Sequence, residues 1–253
     1  ICGDKVLSEY RTTDAGKVRD ILIKRGLNVL SVKRTFTTIR AIINLAIKEN
    51  GLDIRNAFSS IYMPDAQIKK RVSIPVNTIR EIQQTCFETD DDMRWLIALI
   101  SDTGMRLAEA AGLHIHDIHL DEEIPYIDLK PHLWRRLKTI TSKRQIPLVG
   151  ASLRAAKRLK TNASSCFAFP RYTDGERCNA NSASNALNKW IQTHVRDDIV
   201  IHGFRHAMRD RLRAVNGSSE MIDQIGGWSS EKIGEGYGEE YTKTALFKYL
   251  SLI

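Results

Sequence analysis

One stretch of this chain, residues 124 to 149, interrupts a sequence otherwise punctuated for helices. Within it IPYIDLK (124–130), a run around LKTIT (137–141) and RQIPLV (144–149) read as three short strands of one small antiparallel sheet. The segments on either side carry the 3.6-residue periodicity and the end signals of helices. The fold class expected is therefore mainly α with a small antiparallel β-sheet (α+β). No internal repeat and no low-complexity tract complicates that reading.

The helical signals are strongest near the start. TDAGKVRDILIKRG (13–26) has an Asp near its beginning and a Gly at its end. In SVKRTFTTIRAIINLAIKENG (31–51), Ser31 suits an N-cap, and Val32, Phe36, Ile39, Ile43, Ala46 and Ile47 form one apolar stripe. Gly51 stops that helix. Further helices are expected at VNTIREIQQTCFET, DDMRWLIALISDTG, MRLAEAAGL, ASLRAAKRLK, SASNALNKWIQTHV, HGFRHAMRDRLRAVNG, SEMIDQIGGW and TKTALFKYL.

With 253 residues the chain can bury one large core or divide in two, and its charge favours division. Residues 1–72 hold 14 Lys and Arg against 7 Asp and Glu; the remaining 181 hold 24 against 23. YMPDAQIKKRVSIP, with a proline near each end and the triplet Lys69-Lys70-Arg71, reads as a basic linker. The expected division is a helical DNA-clamp module over 1–63, a linker over 64–75 and a larger domain over 76–253. The net charge of +8 points to a polyanionic partner. Lys33, Arg34 and Arg40 on the second helix, with Lys69, Lys70 and Arg71, are the candidate DNA contacts. Each taken singly reads as part of a solvated face. Starting at Ile1 rather than Met, the chain reads as the C-terminal part of a longer one. No run of 18 apolar residues exists, so no membrane partner is expected. The four cysteines are scattered, as reduced thiols of a cytosolic protein would be.

Several polar residues in apolar helical settings are candidates for chemistry. Arg106 precedes LAEAAGL and can pair with Glu109 one turn on, either as a plain ion pair or as a phosphate clamp held by that carboxylate. His202 and Arg205, at i and i+3, share a helix face on which an imidazole and a guanidinium could meet a phosphoryl group. His206 is assigned to a different face and a structural role. HIHDIH (114–119) clusters three imidazoles, but its i, i+2, i+5 spacing serves neither a helix face nor a strand face, and surface histidines near a turn are the better reading. No Gly-rich phosphate loop and no acidic metal-holding cluster is present, so the chemistry would need its own nucleophile, and a C-terminal tyrosine is available.

TGMRLAEAAGL, LKTITSKRQIPL, HGFRH and IGGWSSEKIGEGYG occur in that order and resemble the successive boxes of the tyrosine recombinases, in particular the phage-type integrases. The resemblance covers 76–253 and, more loosely, 1–72, which is similar to the family's core-binding domain. It implies that Arg106 is the first catalytic arginine and Glu109 its acidic support. Lys138 matches the hairpin lysine, with Lys143 as competitor. His202 and Arg205 match the His-x-x-Arg pair, and Trp228 falls where the family most often has histidine. Tyr237 matches the nucleophile, with Tyr241 as the alternative.

The resemblance further implies a metal-independent strand transfer without ATP or any other cofactor, through a 3′-phosphotyrosine, that integrates or excises a phage or mobile element. The implied partners are a double-stranded recombination site, a homotetramer on two duplexes that is a monomer or weak oligomer without DNA, and an accessory DNA-bending protein. The implied location is the cytoplasm, at the nucleoid when DNA is bound. The tail 242–251 is amphipathic enough to dock on a neighbouring protomer or on its own domain. The rival readings are a type IB topoisomerase-like enzyme and a catalytically silent DNA-binding regulator.

Overall fold

The structure, a computed structural model, describes residues 1–66, 73–228 and 240–253. It divides into two compact units, Ile1–Arg71 and Val72–Ile253. The division falls inside the stretch read as a linker. Lys69, Lys70 and Arg71 lie outside the described residues.

The first unit is built on α1 (Thr12–Lys24) and α2 (Val29–Glu49). The second helix begins three residues before the sequence reading placed it. Asn28, not Ser31, is its N-cap, and the Asn28 side chain accepts the Ser31 N–H at 2.8 Å. Val32 and Phe36 from the apolar stripe pack with Ala15 and Phe58 into a small core.

The larger unit begins with α3 (Val76–Thr89) and α4 (Asp92–Thr103). Asp91 caps α4, its carboxylate accepting the Arg94 N–H at 3.0 Å. Every residue from Leu96 to Thr103 is buried, as only a helix surrounded by others can be. Around it stand α5 (Leu107–Ala111), α6 (Gly150–Thr161), α7 (Ala180–His194) and α8 (Ile201–Ala214). Buried Asp102 fastens α3, α6 and α8 to α4. It accepts from Gln83 of α3 at 3.0 Å, from the Ala151 N–H of α6 at 2.8 Å and from Arg211 of α8 at 3.0 Å.

The sheet has three antiparallel strands in the order β1 (Ile118–His119), β2 (Tyr126–Leu129) and β3 (Arg144–Pro147). Ile118 pairs with Ile127, and Ile127 with Ile146, so a row of isoleucines crosses the sheet into the core. One expected strand is corrected here. LKTIT forms no strand; Ile140–Ser142 is a 3-10 turn, and the third strand is instead the end of HIHDIH. The Thr139 and Ser142 hydroxyls bond each other at 2.9 Å, a local bond that competes with ladder pairing, and Ile140 is 94% exposed with no apolar face to bury.

The chain closes with α9 (Ser219–Gly226) and α10 (Lys243–Leu250). Leu246 and Leu250 of the tail helix bury against Val149, Met208, Leu212, Met221, Ile222 and Ile225 of the same chain. No described helix is long and apolar enough to cross a membrane.

Candidate active site

The site grows from the turn between α4 and α5. Gly104 ends α4 at φ +60°, and a side chain there would meet Met208 of α8 at 3.0 Å. That turn sets Arg106 just before the first residue of α5. Glu109, 2% exposed, reaches back to accept the Arg106 backbone N–H at 2.9 Å, the acceptor half of a capping box. The same carboxylate takes Arg106 Nη1 at 2.6 Å. Arg106 Nη1 also donates to Ser142 Oγ at 2.9 Å, and Nη2 donates to the Gly227 carbonyl at 3.0 Å.

A residue missing from the expected set joins this cluster. Arg144, at the start of β3, donates to Glu109 Oε2 at 3.2 Å, to the Ile225 carbonyl at 2.8 Å and to the Ser142 carbonyl at 2.8 Å. Glu109 therefore holds two guanidiniums. Burial pulls its carboxyl upward, but Arg144, followed by Arg106, outweighs burial and holds it below the usual carboxylate range. The signal that could have found Arg144 is strand parity. It shares the buried side of its strand with Ile146, where an unpaired charge would be costly.

Arg205 is the third guanidinium, carried by α8 and only 3% exposed. Its Nη1 donates to the Gly104 carbonyl at 2.6 Å, whereas its Nη2 is buried with no hydrogen-bond partner among the described residues. Burial, and after it the Arg106 charge, pushes the Arg205 guanidinium down to about 9. The indole of Trp228 covers it, with Arg205 Cζ 4.3 Å from the ring centroid and Arg209 Cζ at 5.2 Å. Arg209 is itself fixed by Asp223 at 3.1 Å. The double glycine before Trp228 has a steric cause. A side chain on Gly226 would stand 1.7 Å from the indole, and one on Gly227 would meet Arg144 Nη1 at 2.6 Å.

His202 lies in the first turn of α8 and is exposed. His206 does not face elsewhere, as the sequence reading had it. Four residues return the helix to nearly the same direction, and the two rings sit edge to face with centroids 5.0 Å apart. Lys138 is exposed and makes no hydrogen bond or ion pair with a described residue. It adjoins Thr139, whose N–H donates to Ser142 Oγ at 3.4 Å, and exposed Lys143 follows the same turn. Tyr237 lies outside the described residues. Tyr241 is described, and its hydroxyl is bonded to Ser218 Oγ at 3.0 Å, at the end of α9 opposite Trp228.

In the first unit, Lys33 and Arg34 lie in the N-terminal half of α2, Arg34 exposed and Lys33 half-buried. Arg40 is partly committed internally, its Nε donating to the Phe58 carbonyl at 2.8 Å.

Two guanidiniums held by one carboxylate, and a third that keeps a buried N–H without a partner among the described residues, form a receptor for a tetrahedral anion. Residues 72–243 match the model of the phage integrase family, and the chain belongs to that family. It is a tyrosine recombinase, an enzyme that transfers DNA strands. It is 23% identical over 217 residues to tyrosine recombinase XerC of Neisseria meningitidis serogroup C / serotype 2a, a match covering 83% of this chain and 68% of that protein. In fold it is similar to the Tn1549 transposon integrase solved in complex with circular intermediate DNA, with a TM-score of 0.68 and 18% identity over 95% of this chain and 84% of that one. It is likewise similar to a lambda integrase solved as a tetramer bound to a Holliday junction, with a TM-score of 0.65 and 15% identity over 91% of this chain and 68% of that one.

Proposed function

We propose that this chain is a site-specific recombinase of a phage or mobile element that cuts and rejoins DNA through a 3′-phosphotyrosine. One observation carries the proposal. Arg205, near enough to Arg106 for the two charges to repel, keeps a buried N–H that has no partner among the described residues. A buried, unpaired donor is unfavourable in the empty protein and is satisfied by a phosphoryl oxygen.

In this reading the Tyr237 phenolate oxygen attacks the scissile phosphorus while the bond from phosphorus to the 5′ oxygen breaks. Arg106 and Arg205 receive the negative charge on the non-bridging oxygens, and the Trp228 indole N–H adds a donor that cannot itself transfer a proton. Lys138 gives its proton to the departing 5′ oxygen, and His202 takes up the phenol proton. A second strand's 5′ hydroxyl reverses these steps, so bond energy is conserved and neither metal nor ATP enters. Glu109 and Arg144 hold Arg106 in place. The basic first unit, through Lys33, Arg34 and Arg40 and the Lys69-Lys70-Arg71 triplet, grips the duplex backbone, where salt-sensitive affinity is expected. Four protomers act on two duplexes; the tetrameric lambda integrase supports that assembly.

The test uses a nicked duplex selected by this protein from a randomised pool. The protein becomes covalently joined to that DNA, Tyr237→Phe abolishes the adduct, and Tyr241→Phe does not. No adduct from the parent protein would identify a silent regulator. Relaxation of supercoils without recombinant product would identify a topoisomerase-like enzyme.

A further inference from the structure

Lys138 stands in a segment that is fastened on both sides to the same short helix that carries Glu109. On its C-terminal side the fastening is the turn already described, where Ser142 Oγ meets the Thr139 N–H and Arg106 Nη1. On its N-terminal side the fastening is a Trp-Arg pair. Trp134 Nε1 donates to the Gly112 carbonyl at 3.0 Å, and Arg135 Nη1 donates to the Glu109 carbonyl at 2.9 Å. These two oxygens belong to the C-terminal end of α5, where carbonyls have no partner within the helix and carry partial negative charge.

The dock is built rather than incidental. Arg135 is 2% exposed. Its stem passes so close to Gly112 that a side chain there would meet Arg135 Cδ at 2.8 Å. Behind it lies the buried carboxylate of Asp117, 3.7 Å from Arg135, 3.3 Å from Lys130 and 2.6 Å from His132. Arg135 Nη2 turns back to the Lys130 carbonyl. His132 and Arg135 exchange backbone hydrogen bonds at 3.0 and 3.1 Å, which closes the loop between them. The Trp134 ring is stacked on His132 at 4.5 Å and set edge-on to Phe167 at 5.1 Å. Only Arg136, Leu137 and Lys138 separate this anchor from the Thr139–Ser142 turn.

We infer that Trp134 and Arg135 are positioning residues for Lys138. By capping α5 they lock the lysine's segment to the helix that presents Glu109 and Arg106, so the proton donor and the phosphate receptor move as one piece. The inference rests on the proposed role of Lys138 as the proton donor. A readout specific to proton donation separates this positioning role from a contribution to stability.

Replacing the bridging 5′ oxygen of the selected duplex by sulfur supplies that readout. The phenol oxygen still bonds to phosphorus, and the bond from phosphorus to sulfur breaks with its electron pair leaving on sulfur. A thiolate leaves without a proton, so a lost proton donor no longer matters. On the oxygen duplex Lys138→Ala should cleave about 10²–10⁴-fold more slowly. Trp134→Phe, which keeps the ring and loses the N–H, and Arg135→Met should cleave up to about 100-fold more slowly, the scale of a small misplacement. On the sulfur duplex all three should return to near the parent rate, whereas Arg106→Ala should not. Recovery of Lys138→Ala without recovery of the two anchor variants would overturn the inference and leave the proton-donor role standing. Normal cleavage of the oxygen duplex by both anchor variants would overturn it equally. Failure of Lys138→Ala to recover would reject the role of Lys138 itself, and the inference with it. Should Arg135→Met not fold, Trp134→Phe alone decides the matter.

Discussion

The buried guanidinium of Arg205 makes a quantitative demand on the folded state. Its ordinary pKa is lowered to about 9, so the folded protein holds its charge less willingly than the unfolded chain does. Between about 9 and the ordinary arginine value the unfolded chain binds more protons, and stability rises with pH there. At neutral pH both forms are charged, and the full penalty is present, on the order of 5 kcal/mol at most. An oxyanion that accepts from the idle Nη2 should relieve part of it. For an anion at about one hundred times its Kd, mass action gives about 2.7 kcal/mol. For a unit of this size each kcal/mol raises Tm by about 2–4 °C, so a rise of roughly 5–10 °C is expected. The assay is a calorimetric melt at pH 7 in phosphate against chloride at matched ionic strength. Phosphate also stabilises proteins generally by exclusion from their surfaces, and Arg205→Met separates the two effects. That variant should melt above the parent in chloride, since an apolar isostere removes an uncompensated charge, and should lose most of the phosphate response. A phosphate response undiminished in Arg205→Met would refute the reasoning, because the anion would then be acting elsewhere.

Other outcomes follow from the same cluster. Glu109→Gln strips the shared partner from Arg106 and Arg144 and should lower stability by about 3–5 kcal/mol, measured by denaturant titration. Because the Glu109 carboxyl is held low in the fold, its contribution is present above the ordinary glutamate value and fades as pH falls through the lowered one, so Glu109→Gln should also flatten the acid limb of a pH–stability curve. Gly226→Ala adds one methyl group where the Trp228 indole already stands at 1.7 Å, and it should impair covalent attachment to DNA while leaving helix content by circular dichroism unchanged. Lys143→Ala should cleave near the parent rate if Lys138 is the donor, and a loss equal to that of Lys138→Ala would move the assignment one turn along.

Much of this was legible because the chain punctuates its helices clearly. Residues 76–89 form α3 with the expected bounds, Pro75 at one end and an apolar face along its length. Arg106 and Glu109 were readable as a pair because one helical turn separates them. Other features depended on context that one-dimensional periodicity does not carry. Asn28 displaced Ser31 as the cap because both are good acceptors and only the path of the chain decides between them. LKTIT has the β-branched residues of a strand, yet its hydroxyls bond locally and Ile140 faces outward. The two-residue β1 is too short to leave a pattern at all. Arg144 escaped notice because a strand was expected there, and a charge inside a strand reads as a solvent-facing position unless its parity is followed.

The helix that carries His202 and Arg205 is pinned near both ends. Asn188 accepts the Ile201 N–H at 2.7 Å, and Arg211 is moored to Asp102 at 3.0 Å. Ten residue steps, about 15 Å of helix, separate these moorings, too short a beam to bow under load. On the proposed function, a nucleic-acid backbone arriving at that surface meets a helix already held in place. What these two moorings contribute is a placement of His202 and Arg205 that is complete once the chain has folded.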